Sequence, residues 1–276
     1  MDTSTANALI ELNNCFYAQN AASFSATRAA PWAGWRRLSE LLAERKWASA
    51  AAPSKRIIMD MACGNMRFER YLAAAFPTLN LHFHAIDSCP DLAPDSQEPD
   101  FSCTYHHLDV LSILLDAINE QEVGSAPAAA MDALPMCDLS VCFGFMHHVP
   151  SPQLRQRLLD VLLDHTVPGG LVVLSFWQFM LDDRLATKAR RADGLACAGS
   201  LAADFPQIDI AGLEKNDHFL GWQANPAPLR YCHHFDESEL DQLVASVGTS
   251  AREVARYSAD GSSGTLNRYL VLERMA

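Results

Sequence analysis

An alternation of short apolar runs with longer amphipathic stretches, beginning at Arg56, constrains the fold of this chain more than any other feature. The apolar runs predict strands at residues 56–62, 81–86, 101–108, 139–145 and 171–176. The amphipathic stretches predict helices; in residues 151–165, for example, Leu154, Leu158 and Leu162 recur on one face. Strands that alternate with helices form parallel sheets with both faces covered, so we expect a doubly wound, mostly parallel α/β fold.

The two ends of the chain complete the predicted architecture. Helices are expected in the N-terminal part, on either side of a polar turn at residues 23–28. A helix capped by Asp236 and Glu239, then a hairpin at 252–258 and 266–273, would extend the sheet to seven strands. Residues 91–100 and 121–135 are expected to be loops. The single predicted domain divides into an N-terminal helical lid (1–52), a cofactor-binding core (53–177), a substrate-side insertion (178–235) and a C-terminal helix and hairpin (236–276).

Charge and cysteine usage narrow the class of function. The formal net charge of −12 argues against a protein that coats nucleic acid nonspecifically. The 8 cysteines are scattered and form no CxxC pair, so neither a disulfide framework nor a zinc site is expected. No apolar run approaches the ~20 residues that span a bilayer. The first residues also lack the basic tip and apolar core of a secretory signal, so a cytoplasmic location is expected.

Polar residues stand at the ends of four consecutive predicted strands, where α/β sheets bind ligands. The first strand leads into Asp60 and Gly64, the second ends in Asp87, the third in Asp109, and the fourth in residues 143–148. Asp87 suits the two hydroxyls of a ribose, and Asp109 suits an adenine amine. Taken singly, each acid is equally typical of a helix cap. The glycine, taken singly, is equally typical of a turn. The ordered series predicts an adenosine-containing ligand.

The strand ends resemble the ordered motifs of class I S-adenosylmethionine-dependent methyltransferases. The resemblance rests on DMACGNMRF (60–68), AIDSCPDL (85–92), HLDV (107–110), CDLSVCFGFMHHV (137–149) and PGGLVVLSFW (168–177). It implies S-adenosylmethionine as cofactor, with these residues around it: Asp60, Ala62, Cys63, Gly64, Asn65, Asp87, Ser88, Asp109, Val110, Phe143 and Gly144.

The glycine-rich loop departs from the D-x-G-C-G-x-G pattern of that family. Ala62 and Met66 replace its first and third glycines. Alanine is expected to fit, and Met66 is expected to point away from the ligand or to narrow the loop. A nicotinamide-binding domain would require all three glycines, so the losses argue more strongly against that alternative.

A narrower resemblance lies outside the cofactor motifs. The pattern Tyr17-x3-Ala21-x2-Phe24-Ser25-x-Thr27-Arg28-x2-Pro31-Trp32, together with NDHFLGW (216–222) and RYCHHF (230–235), is similar to the methyltransferases that esterify carboxymethyluridine at the wobble position of tRNA.

Candidate substrate-side residues follow from this resemblance and from their chemistry. Arg28 is predicted to pair with the carboxylate of the cofactor, and Arg230 and His233 to hold an anionic acceptor. His147 is predicted to line the transfer cavity, with its neighbour His148 as a further base. Arg28 can equally well be a surface arginine, and Arg230 and His233 can equally well be a structural pair.

Three functions remain open from the sequence. The first is methylation of tRNA, for which the basic stretch 184–191 would contact phosphates, although a solvated helix face explains such a stretch as well. The second is methylation of a small metabolite at oxygen or nitrogen, with tryptophans walling the pocket. The third is a cofactor-binding protein without turnover. The expected partners are the cofactor and either a tRNA or a small-molecule acceptor. No membrane association is expected. Whether a small activating subunit is needed stays open.

Overall fold

Seven strands form one mixed sheet in this computed structural model, which describes residues 1–28, 30–45, 47, 55–92, 100–119, 125–223 and 225–276. The strand order is β3-β2-β1-β4-β5-β9-β8. The strands are β1 Lys55–Met61, β2 Asn80–Asp87, β3 Ser102–His107, β4 Cys137–Cys142, β5 Thr166–Trp177, β8 Ala251–Ala259 and β9 Asn267–Arg274. The first five run parallel to one another, and β9 is antiparallel to both β5 and β8. The predicted doubly wound sheet and its C-terminal hairpin are therefore confirmed.

Eight helices and a separate hairpin surround the sheet in the described part of the chain. The helices are α1 Thr3–Ala26, α2 Ala33–Glu44, α3 Arg67–Ala75, α4 Val110–Ile118, α5 Ala126–Asp132, α6 Pro152–Asp164, α7 Asp183–Cys197 and α8 Glu237–Ser246. The hairpin pairs β6 Asp217–Trp222 with β7 Asn225–His233. It packs on α7 and α1, and this contact brings the N-terminal helix over the ends of the strands.

Two apolar layers hold the sheet, one on each face. Leu154 and Leu158 of α6 belong to the layer beneath α4 and α8, and both side chains are fully buried. On the other face Trp35 of α2 and Phe68 of α3 pack against Ile58 of β1. The central strands are buried on both faces because helices cover them from both sides. This burial explains why their sequences read as continuous apolar runs.

Two local predictions are corrected by the structure. The turn predicted at residues 23–28 begins later, because α1 continues through Ser23 and Ser25 to Ala26. Residues 126–132, predicted as loop, form α5, which Ser125 caps by accepting a hydrogen bond from the Ala128 amide. Alanine-rich sequence has high helix propensity, and the capping serine and Pro127 in the first turn outweighed the loop-like composition. Residues 93–99 and 121–124 of the two predicted loops lie outside the described residues.

One other local prediction is confirmed. Asp236 and Glu239 form the capping box at the start of α8. Among the described residues, no helix is both long enough and apolar enough to cross a membrane.

Candidate active site

A cavity of about 710 Å³ lies at the carboxyl ends of β1, β2 and β4, with α1 along one side. All twelve residues predicted to bind the cofactor line it: Arg28, Asp60, Ala62, Cys63, Gly64, Asn65, Asp87, Ser88, Asp109, Val110, Phe143 and Gly144. Arg230 and His147 line it too, whereas His233 does not. The residues predicted at the strand ends thus share one cavity, because parallel strands end at one common edge.

The loop after β1 has an unusual backbone. Ala62, Gly64 and Met66 have φ values of 64°, 56° and 55°, so all three are left-handed. A left-handed conformation costs about 1 kcal/mol or more at a residue that is not glycine. The Met66 side chain is 5% exposed and packs with Cys63 and Ala85, away from the cavity. The loop therefore keeps the glycine-type conformation although two of its glycines are absent.

Asp87 is held rigidly beneath that loop. Its Oδ2 accepts a hydrogen bond from the Gly64 amide at 2.8 Å, and its Oδ1 accepts one from the Cys89 amide at 2.8 Å. Each carboxylate oxygen retains a second lone pair for a ligand hydroxyl. Burial raises the pKa of Asp87, and the two amide donors act against that rise. The geometry suits a group that receives hydrogen bonds from a vicinal diol.

Asp109 is the N-cap of α4. Its carboxylate accepts from the Ser112 amide at 3.2 Å and from the Asn14 side-chain amide, on α1, at 2.7 Å. The helix-cap interpretation of Asp109 therefore holds, and it coexists with a place on the cavity wall. Asn14 thereby links α1 to the N-terminus of α4.

A buried pair of acids lies below the loop. Asp60 is 2% exposed and Glu69, on α3, is fully buried. Asp60 Oδ1 and both carboxylate oxygens of Glu69 lack a hydrogen-bond partner. Burial and mutual repulsion raise the pKa of Asp60 well above its usual range, and burial raises that of Glu69 to about 7. Asp60 lines the cavity, where its carboxyl group can accept a hydrogen bond from an N–H group of a ligand.

Sequence analysis missed Glu69. Its spacing of three residues from Leu72 places it on the buried face of α3, and that spacing is the signal that was available.

Gly144 lies where the cofactor side of the cavity meets the tryptophans. Its φ is 66°, and a Cβ there would be 2.8 Å from the Trp32 ring. The amide of Gly144 donates to Ser175 Oγ at 2.8 Å, which fixes the turn after β4. Trp32 in turn stacks on Trp35, with ring centroids 5.2 Å apart. Glycine is required here because the indole occupies the space of a side chain.

Arg230 is buried at the opposite side of the cavity. It is 6% exposed, and its Nε and Nη1 have no hydrogen-bond partner. Its guanidinium lies 5.0 Å from the Phe16 ring centroid, 5.4 Å from that of Trp222 and 5.8 Å from that of Trp177. No ion pair to Arg230 occurs within the described residues. A buried cation surrounded by rings would gain stability from an anion supplied from outside the chain.

Arg28 also faces the cavity from the end of α1. Its guanidinium lies 3.5 Å above the Phe24 ring, and burial lowers its pKa to about 10. Its one side-chain hydrogen bond, to Thr27 Oγ1, is long at 3.4 Å. The predicted role, pairing with the carboxylate of the cofactor, is compatible with this position and stays a prediction.

His147 and His148 both line the cavity, and they differ in their hydrogen bonds. The Nδ1 of His147 has no partner. His148 is engaged at both ring nitrogens, at Nε2 by the Tyr17 hydroxyl at 2.7 Å and at Nδ1 by the Tyr231 carbonyl at 2.9 Å. Burial lowers the pKa of both histidines. Both are therefore neutral at physiological pH.

His233, predicted to hold the acceptor, is placed elsewhere. It lies between Asp217 and Glu239, with nitrogen–oxygen distances of 2.6 and 2.7 Å, and Arg155 approaches it at 3.1 Å. This ion cluster fastens the β6–β7 hairpin to α6 and α8. Successive residues of a strand point to opposite faces, but the sequence does not say which face meets the cavity. Arg230 and His233 are three residues apart, and they lie on opposite faces of β7.

The basic stretch 184–191 lies on α7. Arg184, Lys188, Arg190 and Arg191 are all exposed, and none of them lines the cavity.

Comparisons with known proteins agree with this geometry. No protein-family model and no curated protein sequence matches the chain. An S-adenosylmethionine-dependent methyltransferase from Methanosarcina mazei is similar at a TM-score of 0.53 and 14% identity, over 83% of this chain and 97% of that one. An S-adenosylmethionine-dependent methyltransferase from Clostridium acetobutylicum gives 0.55 and 9%, over 95% and 100%. A sugar N-methyltransferase from Streptoalloteichus gives 0.52 and 12%, over 92% of each chain. The strand order, the cavity at the strand ends and these neighbours together establish that the chain has the class I methyltransferase fold.

Proposed function

We propose that the protein is an S-adenosylmethionine-dependent methyltransferase. The support is the series of groups along the cavity: Asp87 with two free lone pairs for a ribose, Asp109 beside Val110 for adenine, and Asp60 with an unpartnered oxygen for the ammonium of the methionine moiety. The left-handed loop at Gly64 lets backbone approach the ligand closely. The bound cofactor supplies an electrophilic methyl group, and the chain supplies orientation and a water-poor cavity.

The acceptor is a small molecule that carries an anionic group. The observation that supports this proposal is the burial of Arg230 without a carboxylate partner, in the same cavity as the cofactor residues. Leaving a charged group buried and unpaired costs several kcal/mol, so the site is expected to gain affinity from any anion that pairs with it. The aromatic rings around Arg230 suit an acceptor with an apolar or planar body.

A second candidate is the carboxylate of a modified wobble uridine in tRNA. The observation that favours it is the exposure of all four basic side chains between residues 184 and 191 on α7. Such a surface can contact phosphates. Against it stand the net charge of −12 and the position of Arg230 at the buried end of the cavity. The experiment below distinguishes this acceptor from a small molecule.

Residues 1–52 are proposed as a lid, because α1 contributes Tyr17 to the cavity wall and Arg28 lines the wall just after that helix. A cytoplasmic location and a small activating subunit stay predictions.

The test is transfer of a labelled methyl group from S-adenosylmethionine, offered in parallel to total tRNA and to the fraction of a cell extract below about 1 kDa. Label in the small-molecule fraction, lost in Arg230→Ala and kept in Arg184→Ala, is the expected result. Label in tRNA nucleosides, measured by mass spectrometry, would establish the alternative. Binding of the cofactor without transfer to either fraction would leave a cofactor-binding protein without turnover.

A further inference from the structure

The shorter contacts of His148 indicate its tautomer. Its Nδ1 atom lies 2.9 Å from the Tyr231 carbonyl, which can only accept, and 3.2 Å from Asn13 Nδ2, which can only donate. The carbonyl contact is the shorter one, and Asn13 Nδ2 has the same carbonyl as its acceptor, so we assign the proton to Nδ1. Asn13 secures the same peptide: its Oδ1 accepts from the Tyr231 amide at 2.8 Å and its Nδ2 donates to the Tyr231 carbonyl at 3.2 Å. In the neutral ring, Nε2 is then unprotonated and faces Tyr17. The Tyr17 hydroxyl must donate to it, across 2.7 Å.

The consequence concerns the free lone pairs of the Tyr17 oxygen. Its proton is committed to His148, and among the described residues no donor satisfies the oxygen itself. Tyr17 and His148 both line the cavity, as does Arg230. The Tyr17 ring is held edge-on by Phe16, Phe24 and His148, with centroids 5.1–5.3 Å away. A rigid acceptor oxygen thus faces the compartment that the unpaired arginine marks as an anion site.

We propose that Tyr17 is a catalytic residue that accepts the proton of the methylated atom and relays its own proton to His148. The acceptor is then a small anion whose methylated group is an amine or a hydroxyl, and its anionic group is used for recognition. This inference rests on the proposed methyltransferase function and specifies its substrate class. A carboxylate needs no proton acceptor, so this relay would serve no purpose in esterification.

The atoms balance in this step. A bond forms between the acceptor nitrogen or oxygen and the methyl carbon, and the carbon–sulfur bond breaks with its electron pair left on sulfur. The N–H or O–H proton passes to the Tyr17 oxygen while the Tyr17 proton passes to His148 Nε2. The resulting imidazolium keeps its Nδ1–H bond to the Tyr231 carbonyl and later releases a proton to water.

Bound substrate makes His148 a stronger base. Burial and the positive charges of Arg230, on β7, and Arg28, just after α1, together lower the pKa of His148 to about 3. An anion placed on these arginines cancels their effect on the imidazolium. The other titratable groups near the pair are Cys232 on β7, Asp87 at the end of β2, and the adjacent His147. The relay is thus activated when an anionic acceptor is in place.

The experiment compares product chemistry and rates. The acceptors are the small-molecule fraction and three matched probes, 3-aminobenzoate, 3-hydroxybenzoate and benzoate. The expected products are methylamines or methyl ethers, which survive mild alkali. Tyr17→Phe and His148→Gln should each lower kcat by about 100-fold or more, with the KM for the cofactor unchanged. Tyr71→Phe removes a phenol hydroxyl whose one hydrogen bond among the described residues comes from Ser39, and it should change neither constant.

Two further readouts separate a proton relay from a structural role. In wild type, kcat should fall as pH is lowered through the pKa of His148 in the complex, and Tyr17→Phe should lose that dependence. In the ligand-free protein, ¹⁵N NMR should find His148 neutral and protonated at Nδ1 between pH 5 and 8.

A methyl ester that releases methanol in alkali would overturn the inference and leave the proposed function intact. Wild-type turnover in Tyr17→Phe, or an Nε2–H tautomer, would also overturn it. Absence of methyl transfer both to these acceptors and to total tRNA would refute the proposed function itself.

Discussion

The two ends of the cavity treat charge in opposite ways. At the carboxylate end, defined by Asp60, Asp87 and Asp109, two of the three acids are held by amide donors of the chain itself. At the arginine end, defined by Arg28 and Arg230, neither cation has an acidic partner among the described residues, and aromatic rings hold both in place. Amide donors fix an acid without consuming all its lone pairs, whereas rings fix a cation and leave its N–H groups free.

The difference indicates which ligand groups each end of the cavity recognises. The carboxylate end is organised before a ligand arrives and offers acceptors to neutral hydroxyls and amines, as an adenosine requires. The arginine end stores uncompensated charge, so its affinity depends on an anion supplied by the ligand. Five changes test this contrast, from the largest expected effect to the smallest.

Removal of the buried arginine should have the largest effect. Arg230→Ala is expected to lower kcat/KM for the acceptor by about 100-fold or more, because a charge-assisted contact to a buried anion is lost. The affinity for S-adenosylmethionine, measured by calorimetry, should be nearly unchanged. Arg184→Ala, an exposed arginine on α7, is the matched control. Equal losses of acceptor turnover and cofactor affinity would break the division of the cavity into two ends.

The reciprocal change is made at the carboxylate end. Asp87→Ala should weaken the binding of S-adenosylmethionine at least tenfold, or about 1.4 kcal/mol. The cause is the loss of the ribose acceptor together with the tie to the Gly64 amide. Asp87→Asn keeps one acceptor oxygen and should fall between wild type and Asp87→Ala. Cofactor affinity that stays at the wild-type value in Asp87→Ala would refute the ribose assignment.

Two glycines measure how closely the chain approaches the cavity. Gly64→Ala places a Cβ in open space and pays only for a left-handed alanine, about 1 kcal/mol. Gly144→Ala pays the same strain and also meets the Trp32 ring at 2.8 Å. Urea unfolding should therefore show a larger loss of stability for Gly144→Ala. If the two losses were equal, the indole would be free to move aside.

The buried acids at Asp60 and Glu69 make stability depend on pH. The pKa of Glu69 is raised to about 7 in the folded protein, from 4.5 in the unfolded chain. Between these values the folded state binds more protons, so the free energy of unfolding falls as pH rises from 4.5 through 7. Glu69→Gln should flatten this decline in urea unfolding at pH 5 and pH 8. A decline as steep as that of wild type would show that Glu69 does not titrate in this range.

The exposed basic residues of α7 should matter least. Replacing Lys188, Arg190 and Arg191 with neutral residues leaves the cavity untouched, so turnover of a small acceptor should stay at the wild-type value. If the acceptor is tRNA, the same change should weaken binding and flatten its salt dependence by up to about three units of slope. The two outcomes distinguish the candidate acceptors independently of the experiments on Arg230.

The sequence by itself determined the sheet and the carboxylate end. A local apolar run predicts each parallel strand, and the carboxyl ends of parallel strands meet at one edge. Asp60, Asp87, Asp109 and Gly144 could therefore be placed together without coordinates. The capping serine of α5 is also a local signal in the sequence. The loop-like composition around it nevertheless led to the prediction of a loop.

Only the tertiary structure decided that Arg230 is buried without an acidic partner among the described residues, and that Tyr17 meets His148. Tyr17 and His148 are 131 residues apart in the chain, and His148 and the Tyr231 carbonyl are 83 residues apart. No periodicity connects such positions, because their contact depends on how α1 and the β6–β7 hairpin pack over the sheet. The same packing places the His233 side chain in an ion cluster and the Arg230 side chain in the cavity. Local sequence fixes which residues a strand carries; the packing of whole elements fixes which side chains meet.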